Sequence, residues 1–275
     1  MFCGSRTSQV GAVLEKNAPT SIMYNMPTIG IMDSGVGGLS VLREILKVLP
    51  QERYVYFSDN AWCPYGEKSP EFIRERCRHI TELMLSKGAS AMVVACNTAT
   101  AAAIQTLRSE YEIPFVGMEP AVKPAALGTK SGVIGVLATA GTLKGSKYLN
   151  TKGRFQDAVK IVEHIGQGFV ELVESGVLAG PHAEEVVGKS LEPLLAAGAD
   201  TIVLGCTHYP FLLETLRKVA GPGINFIDPA PAVARRLVEV LKEKGIGPAD
   251  SRPDVELISS GSDEALRRCY TLIRQ

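Results

Sequence analysis

Gly88–Thr98 (GASAMVVACNT) and Gly198–His208 (GADTIVLGCTH) are two stretches of the chain that resemble each other position by position. Each opens with Gly-Ala, continues as a short apolar run, and ends in a cysteine followed by polar residues. An apolar run of this length, bounded by glycine and polar residues, is typical of a buried strand. The likeness indicates an internal duplication, and hence two similar lobes that place Cys96 and Cys206 at equivalent strand ends.

Short apolar runs alternate with amphipathic helical patterns along the rest of the chain, as in a mostly parallel sheet. The predicted strands are Thr28–Met32, Tyr54–Phe57, Ala91–Val94, Phe115–Gly117, Ser131–Leu137, Asp157–Val162, Thr201–Leu204 and Asn225–Ile227. The predicted helices are Leu39–Val48, Pro70–Ser86, Ala99–Glu110, Gly168–Ser175, Pro181–Ala197 and Pro231–Lys244. The expected fold is α/β, with two pseudo-symmetric lobes, each a mostly parallel sheet flanked by helices, and an active site in the cleft between them.

Prolines interrupt the regular pattern near Glu119–Pro124 and Asp228–Pro231, where we place the boundaries between the lobes. The first lobe is expected to comprise residues 27–119 and 229–275, and the second residues 120–228. Residues 1–26 fit neither lobe and are interpreted as an N-terminal extension.

The chain of 275 residues carries 29 basic and 29 acidic side chains, so its formal net charge is zero. This balance argues against nucleic acid as a partner, because non-specific phosphate binding needs a dense basic surface. No apolar run approaches the roughly 20 residues of a membrane helix, so no membrane association is expected. The six cysteines form no C-x-x-C pair and no secretory signal is recognised, which predicts reduced thiols and a cytoplasmic location.

Cys96 and Cys206 are the strongest candidates for catalytic groups. A thiol between a strand end and a helix N-terminus has its thiolate favoured by the helix dipole and by free N–H groups. Because an ordinary cysteine has a pKa near about 8.5, such thiols can serve as acid and base near neutral pH. Two of them on opposite sides of one carbon can invert it, by removing a proton from one face and returning one to the other. Two buried structural cysteines are the alternative interpretation.

Thr28–Gly38 runs from a predicted strand into a glycine-rich turn, a layout in which backbone N–H groups approach an anion such as a carboxylate. Asp33 offers an acceptor for an ammonium group, and Ser34 offers a donor for a carboxylate. A dinucleotide site is disfavoured, because the third glycine of G-x-G-x-x-G falls on Ser40.

His208 lies two residues after Cys206, where it can hydrogen-bond a substrate, assist the thiol or simply pack. The pair also offers two metal ligands. No companion cluster with zinc-like spacing accompanies it in the sequence, so no metal is predicted. The loop Cys63–Gly66 is predicted to be rigid and to present backbone N–H groups to a ligand.

Four motifs, taken in order and spacing, resemble the glutamate racemase family: Gly30–Gly38, Pro64–Gly66, Ala95–Thr98 and Gly205–Pro210. The resemblance extends from Pro27 to the C-terminus. It implies a two-lobed enzyme without pyridoxal phosphate, metal or other cofactor, which interconverts L- and D-glutamate and supplies D-glutamate for peptidoglycan. It also implies a homodimer, and the extension at residues 1–26 resembles longer members that respond to a peptidoglycan precursor.

By the same resemblance, Cys96 and Cys206 are the two catalytic thiols, one for each enantiomer, and Asp33, His208 and Glu174 assist proton transfer. The residues implied to bind the amino acid are Asp33, Ser34, Tyr65, Gly66, Asn97, Thr98, Thr139, Thr142, Thr207 and His208. The sequence departs from the family pattern at Gly166–Gly168, where the family has Ala-Cys-Pro before the helix that carries Glu174.

Two other functions stay open at this point. An aspartate racemase or a related two-cysteine isomerase shares the fold and the thiols, and differs in the room around the distal carboxylate. A protein that binds an amino acid without turning it over uses the same cleft, but its cysteines need not be reactive.

Overall fold

The computed structural model describes residues 27–247 and 254–274. Its strands are β1 Thr28–Asp33, β2 Arg53–Ser58, β3 Ala89–Val94, β4 Phe115–Gly117, β5 Val133–Ala138, β6 Lys160–Ile165, β7 Thr201–Gly205, β8 Asn225–Ile227 and β9 Asp254–Ser259. Its helices are α1 Leu39–Val48, α2 Pro70–Ser86, α3 Asn97–Glu110, α4 Val122–Gly128, α5 Ala140–Leu143, α6 Ser146–Gly153, α7 Phe169–Ser175, α8 Pro181–Ala196, α9 Leu213–Ala220, α10 Ala230–Glu243 and α11 Glu264–Ile273. The extension predicted at residues 1–26 lies outside the described residues.

The strands form two separate parallel sheets. The first has the order β4-β3-β1-β2-β9, and the second has the order β6-β5-β7-β8. In the first sheet the central strand β1 is buried along its whole length, and its Gly30 pairs with Val55 on one side and Met92 on the other. The predicted fold class, two α/β lobes built on parallel sheets, is confirmed.

The duplicated segments occupy equivalent places in the two sheets. Strand β3, which ends before Cys96, pairs with β1, and strand β7, which ends before Cys206, pairs with β5. Asp33 ends β1, and Thr139 follows β5. Because parallel strands end at the same edge of a sheet, each thiol lies beside the polar residues that follow the neighbouring strand.

Helix α10 carries the chain from the second sheet back to the first. The Ala230 N–H donates to Asp228 Oδ1 over 2.8 Å at its start, and its apolar residues Val233, Leu237 and Leu241 recur every four positions on the buried face. The helix packs against α1, and β9 then joins the edge of the first sheet beside β2. The lobe boundaries at residues 119 and 229 stay a prediction.

The sequence pattern misplaces or omits several peripheral elements. Strand β6 begins three residues after the start of the predicted strand Asp157–Val162, because the N–H groups of Ala158 and Val159 close a turn onto the Phe155 carbonyl, both over 3.0 Å. The pattern also omits the edge strand β9 and the helices α4, α5, α6, α9 and α11. Helices α4 and α5, with seven and four residues, are too short to show a helical period.

The described part of the chain bears on two predictions, the absence of a membrane helix and the absence of disulfides. Among residues 27–247 and 254–274, no helix is long and apolar enough to cross a membrane. The cysteines in this part, at positions 63, 77, 96, 206 and 269, are all free thiols. None of these five is joined in a disulfide, and their reduced state stays a prediction.

Candidate active site

Asp33 ties the two lobes together at the end of β1. Its carboxylate is fully buried, accepting the Gly35 N–H at 2.8 Å and the Thr207 hydroxyl of the second lobe at 2.9 Å. Burial raises the pKa of the Asp33 carboxyl above its usual value, although a charged His208 and the two hydrogen bonds act in the opposite direction. The Asp33 carboxyl can therefore hold a proton more readily than an exposed aspartate.

The glycine-rich turn after Asp33 donates to the protein's own carboxylates. The Gly35 N–H is used by Asp33, and the Val36 N–H donates to Glu174 Oε1 over 2.9 Å. These two N–H groups are therefore not available to a substrate. This part of the turn binds carboxylates as expected, but they are side chains of the protein, Asp33 and Glu174. Glycine is required because a Cβ at position 35 would lie 2.1 Å from Glu174 Oε1, and one at Gly37 would lie 2.4 Å from an imidazole nitrogen.

Cys96 caps the N-terminus of α3. Its Sγ accepts the Ala99 N–H at 3.4 Å and lies 3.6 Å from Ser34 Oγ. Burial, followed by the Asp33 carboxylate, raises the pKa of the Cys96 thiol to about 12, against the opposing effect of these two contacts. The prediction that a helix N-terminus leaves this thiol ready to ionise near neutral pH is wrong, because desolvation outweighs the helix donors.

Cys206 has a different neighbour, the imidazole of His208, whose Nδ1 lies 3.8 Å from Cys206 Sγ. The other ring nitrogen, Nε2, lies 2.7 Å from Glu174 Oε1. Burial alone would lower the pKa of His208, but its contacts with Cys206, Cys63 and Glu174 raise it well above the usual value. An imidazolium therefore stands beside the Cys206 sulfur, where it attracts a thiolate.

Glu174 reaches this position from α7 despite the departure at Gly166–Gly168. Gly168 has a φ of +80° at the start of the helix, and a Cβ at Gly166 would lie 2.6 Å from the Tyr209 ring. Burial alone would raise the pKa of Glu174, but the hydrogen bond and charge of His208 lower it below the usual value. The glycines thus accommodate the packing of Tyr209, and the carboxylate remains paired with the imidazole.

Three threonines form a hydroxyl chain across the cleft. Thr98 Oγ1 on α3 lies 2.8 Å from Thr139 Oγ1, which lies 3.0 Å from Thr142 Oγ1. Thr139 also caps α5 by accepting the Thr142 N–H at 3.3 Å. Thr142 Oγ1 also lies 3.5 Å from Thr98 Oγ1, so it stands behind both of the threonines that line the pocket.

The buried hydroxyl of Tyr65 contacts the carboxylate of Asp59, a residue that the sequence motifs do not indicate. The hydroxyl donates to Asp59, which also accepts two hydrogen bonds from Arg76 at 2.9 and 2.8 Å. Asp59 follows the end of β2, so its position at a strand end was the available signal. This buried network orients the Tyr65 ring, which lines the pocket between the thiols.

Both thiols line one pocket. Its walls are Ser34, Pro64, Tyr65, Gly66, Cys96, Asn97, Thr98, Thr139, Val170, Cys206, Thr207 and His208. Three predicted site residues, Asp33, Thr142 and Glu174, lie outside the wall, and each hydrogen-bonds a residue that belongs to it. Within the described chain the buried Asn97 Nδ2 has no hydrogen-bond partner, which leaves a donor for a ligand.

Comparison with known proteins agrees with this architecture. Residues 29–237 match the family model described as Asp/Glu/Hydantoin racemase. The chain is 50% identical over 249 residues to a glutamate racemase of Pseudomonas putida, covering 89% of this chain and 93% of that protein. A crystal structure of Escherichia coli glutamate racemase, in complex with L-glutamate and the activator UDP-MurNAc-Ala, superimposes with a TM-score of 0.80 at 36% identity, covering 90% of this chain and 95% of that one.

The chain therefore belongs to the Asp/Glu/hydantoin racemase family. A glutamate racemase of Ectopseudomonas mendocina is also 48% identical over 246 residues, covering 89% of this chain and 94% of that protein. Within the family, these relatives identify the racemisation of glutamate as the reaction of this enzyme. An amino-acid-binding protein without catalysis is thereby set aside.

Proposed function

We propose that the enzyme inverts glutamate by transferring the α-proton between two thiols, Cys96 on one side of the substrate and Cys206 on the other. The observation that carries the proposal is that both sulfurs come from equivalent strand ends and line one pocket. Removal of the proton by one thiolate and its replacement by the opposite thiol inverts the carbon, and the reverse reaction exchanges the two roles. The acid and the base that this cycle needs are both side chains of the protein.

The two thiols have different surroundings. Cys96, with its pKa raised to about 12, is proposed as the proton donor. Cys206, whose Sγ lies 3.8 Å from Nδ1 of His208, is proposed as the base that takes the α-proton. The Asp33 carboxyl, whose pKa is also raised, can share a proton with the Cys96 side when the roles reverse. We propose that Asp33 and His208 assist the thiols in this way, and that Glu174 keeps His208 charged.

Hydroxyl and amide groups are proposed to hold the amino acid. Ser34, Asn97, Thr98 and Thr139 supply donors for its carboxylates, and the buried Asn97 Nδ2 supports this assignment because it lacks a partner among the described residues. The Thr207 hydroxyl donates to Asp33 Oδ2, so it is proposed to accept a hydrogen bond from the substrate ammonium group. The Tyr65 ring and Gly66 form the wall beside Thr139, where a Cβ at Gly66 would lie 3.1 Å from the threonine. We propose that Thr142 acts by orienting Thr139 and Thr98.

We also propose the substrates, the oligomeric state, the location and the effector of the enzyme. The substrates are L- and D-glutamate, the product D-glutamate serves peptidoglycan synthesis, and the enzyme works as a homodimer in the cytoplasm without nucleic acid or membrane. A peptidoglycan precursor is proposed as its effector. In support, the Escherichia coli relative was solved with L-glutamate and with the activator UDP-MurNAc-Ala.

The test uses the purified full-length protein without added cofactor, in deuterated water with L-glutamate. We expect optical activity to be lost while deuterium enters the α-position. Circular dichroism measures the first change and proton NMR the second. Cys96→Ala and Cys206→Ala should each slow racemisation by at least about 10²-fold, the lower range for a positioned acid or base. Cys77→Ala, which removes a buried thiol outside the pocket, is the matched control. Racemisation that survives either pocket substitution contradicts the two-thiol proposal, and faster turnover of L-aspartate contradicts the substrate.

A further inference from the structure

Three side chains with metal-binding atoms converge beside the glycine-rich turn, although they are far apart in sequence. Cys63 follows β2, Glu174 comes from α7, and His208 follows β7. Their ligand atoms all lie within 4.8 Å of one another. Glu174 Oε1 is 2.7 Å from His208 Nε2 and 3.8 Å from Cys63 Sγ. The linear spacing of ligands, on which the prediction of no metal was based, does not reveal this group.

The separations are close to those of a tetrahedral zinc site. Bonds of about 2.0 to 2.3 Å to nitrogen, oxygen and sulfur imply ligand pairs about 3.4 Å apart for nitrogen and oxygen, and about 3.6 Å for sulfur and oxygen. The sulfur–oxygen distance of 3.8 Å already fits. The imidazole must withdraw from the 2.7 Å contact with the carboxylate by about 0.7 Å, which exchanges one hydrogen bond for two metal bonds.

The three ligand atoms also face a common point. A Cβ placed on Gly35 would lie 2.1 Å from Glu174 Oε1, and 3.1 Å from both Cys63 Sγ and His208 Nε2. Any side chain at this position would fill the space on which the ligands converge. Glycine at position 35 keeps that space free of protein atoms.

Charge and access favour a divalent ion with an affinity for sulfur. A thiolate and a carboxylate neutralise the two positive charges, the neutral imidazole completes three protein ligands, and water takes the fourth position. The protons displaced from the thiol and the imidazolium pass to solvent. Cys63 and Glu174 are partly exposed, so an ion can reach them from outside. A sulfur ligand selects zinc over magnesium or calcium.

We propose that Cys63, Glu174 and His208 form an inhibitory site for a borderline divalent cation, of which Zn²⁺ fits best. The ion binds His208 Nε2 and shifts the imidazole, which breaks its hydrogen bond with Glu174 and alters its contact with Cys206. Racemisation then slows because the His208 ring, whose Nδ1 lies 3.8 Å from Cys206 Sγ, is moved from its place beside that sulfur. The inhibition rests on the proposed role of His208, whereas the binding does not.

The experiment compares the full-length wild-type protein, freed of metal, with Cys63→Ala and with Cys269→Ala. Cys269 is a buried thiol of α11 outside the cluster, which makes it a matched control. Calorimetry with Zn²⁺ gives stoichiometry and affinity, absorption with Co²⁺ reports a thiolate ligand, and racemase activity is followed in parallel. We expect one ion per chain, a thiolate-to-cobalt band, and inhibition by Zn²⁺ in the wild type and in Cys269→Ala.

Cys63→Ala should lose the cobalt band and bind Zn²⁺ at least about tenfold more weakly, and Zn²⁺ should no longer inhibit it relative to its own metal-free activity. Equal binding and inhibition in the wild type and Cys63→Ala would place the ion elsewhere, for instance on the catalytic thiols, and would overturn the site. Stoichiometric binding through Cys63 without inhibition overturns the inhibitory role. Metal-free wild-type protein that fails to racemise glutamate overturns the proposed function instead, and the cobalt band is read independently of turnover.

Discussion

The strand ends that carry Cys96 and Cys206 are alike in backbone, but the groups around the two sulfurs differ. Cys96 receives the Ala99 N–H at the start of α3 and lies next to the buried carboxyl of Asp33. Cys206 is followed by a short 3₁₀ turn, Tyr209–Leu212, and its nearest titratable partner is the imidazole of His208. One sulfur therefore has an anionic neighbour and the other a cationic one.

This difference shows how a duplicated fold can serve a reaction that needs unlike groups. Duplication places two identical side chains at matching sheet edges, while proton transfer needs one acid and one base at any moment. Part of the distinction lies inside the repeats, because His208 stands where the first repeat has Thr98. The rest comes from two residues outside them, Asp33 in the first lobe and Glu174 in the second. Each acts on its thiol from a neighbouring element, Asp33 directly and Glu174 through His208.

The largest effect is expected when one thiol is removed and each enantiomer is tested separately. In Cys96→Ala the remaining Cys206 can still remove and return the α-proton of one enantiomer, and in Cys206→Ala the remaining Cys96 can do so for the other. We expect racemisation to fall by about 10² to 10⁴-fold in both variants. Solvent deuterium should enter only one enantiomer in each, as measured by proton NMR.

The enantiomer that exchanges should differ between the two variants. Wild-type protein supplies the control in which both enantiomers exchange. If the two variants label the same enantiomer, the thiols do not stand on opposite faces of the substrate. The proposed division of roles between Cys96 and Cys206 would then be wrong.

The parts of this site that follow from the sequence are those encoded locally. The repeated segments predict both cysteines at strand ends, and the end of β1 predicts Asp33 and Ser34. The pKa of Cys96 could not be predicted, because it depends on burial by the whole fold rather than on the adjacent helix.

The partners of His208 illustrate the same limit. Glu171 and Glu174 lie in one short amphipathic helix with no local feature that separates them, and only the packing of the lobes points one of them at an imidazole. Cys63 likewise reaches the site from a loop 111 positions before Glu174. Resemblance to a family indicated Glu174, whereas Cys63 required the structure.

A smaller effect is expected from Glu174→Gln, which weakens one of the contacts that raise the pKa of His208, after those with Cys206 and Cys63. We expect the pKa of His208 to fall, each unit corresponding to about 1.4 kcal/mol. Carbon NMR of labelled imidazoles should resolve the shift against His79, His164 and His182, and Glu171→Gln on the exposed side of the same helix is the control. An unchanged His208 titration would contradict the contribution of Glu174 to the raised pKa.

The same ion pair sets a pH window for stability. The pKa of His208 is raised in the folded protein, so its contribution is complete below the unfolded value near about 6.5 and is lost as the pH rises through the folded value. The pKa of Glu174 is lowered, so its contribution is present above the unfolded value and lost as the pH falls through the folded one. Thermal unfolding of Glu174→Gln and wild type should differ most between those limits, and least at either extreme.

The smallest effects should separate Thr139 from Thr142, the second-lobe residues at the strand end that corresponds to Asp33. Thr139→Val removes a hydroxyl from the pocket wall, and one lost hydrogen bond of about 1 kcal/mol predicts a KM roughly fivefold higher with kcat nearly unchanged. Thr142→Val should change KM less, because its hydroxyl contacts Thr139 and Thr98 rather than the pocket itself. Thr139→Ser should restore the wild-type KM, since it keeps both the hydroxyl and the helix cap. Equal effects of the two valine substitutions would mean that the threonines act as one unit, and that the second lobe holds the substrate through the chain of hydroxyls rather than through a single residue.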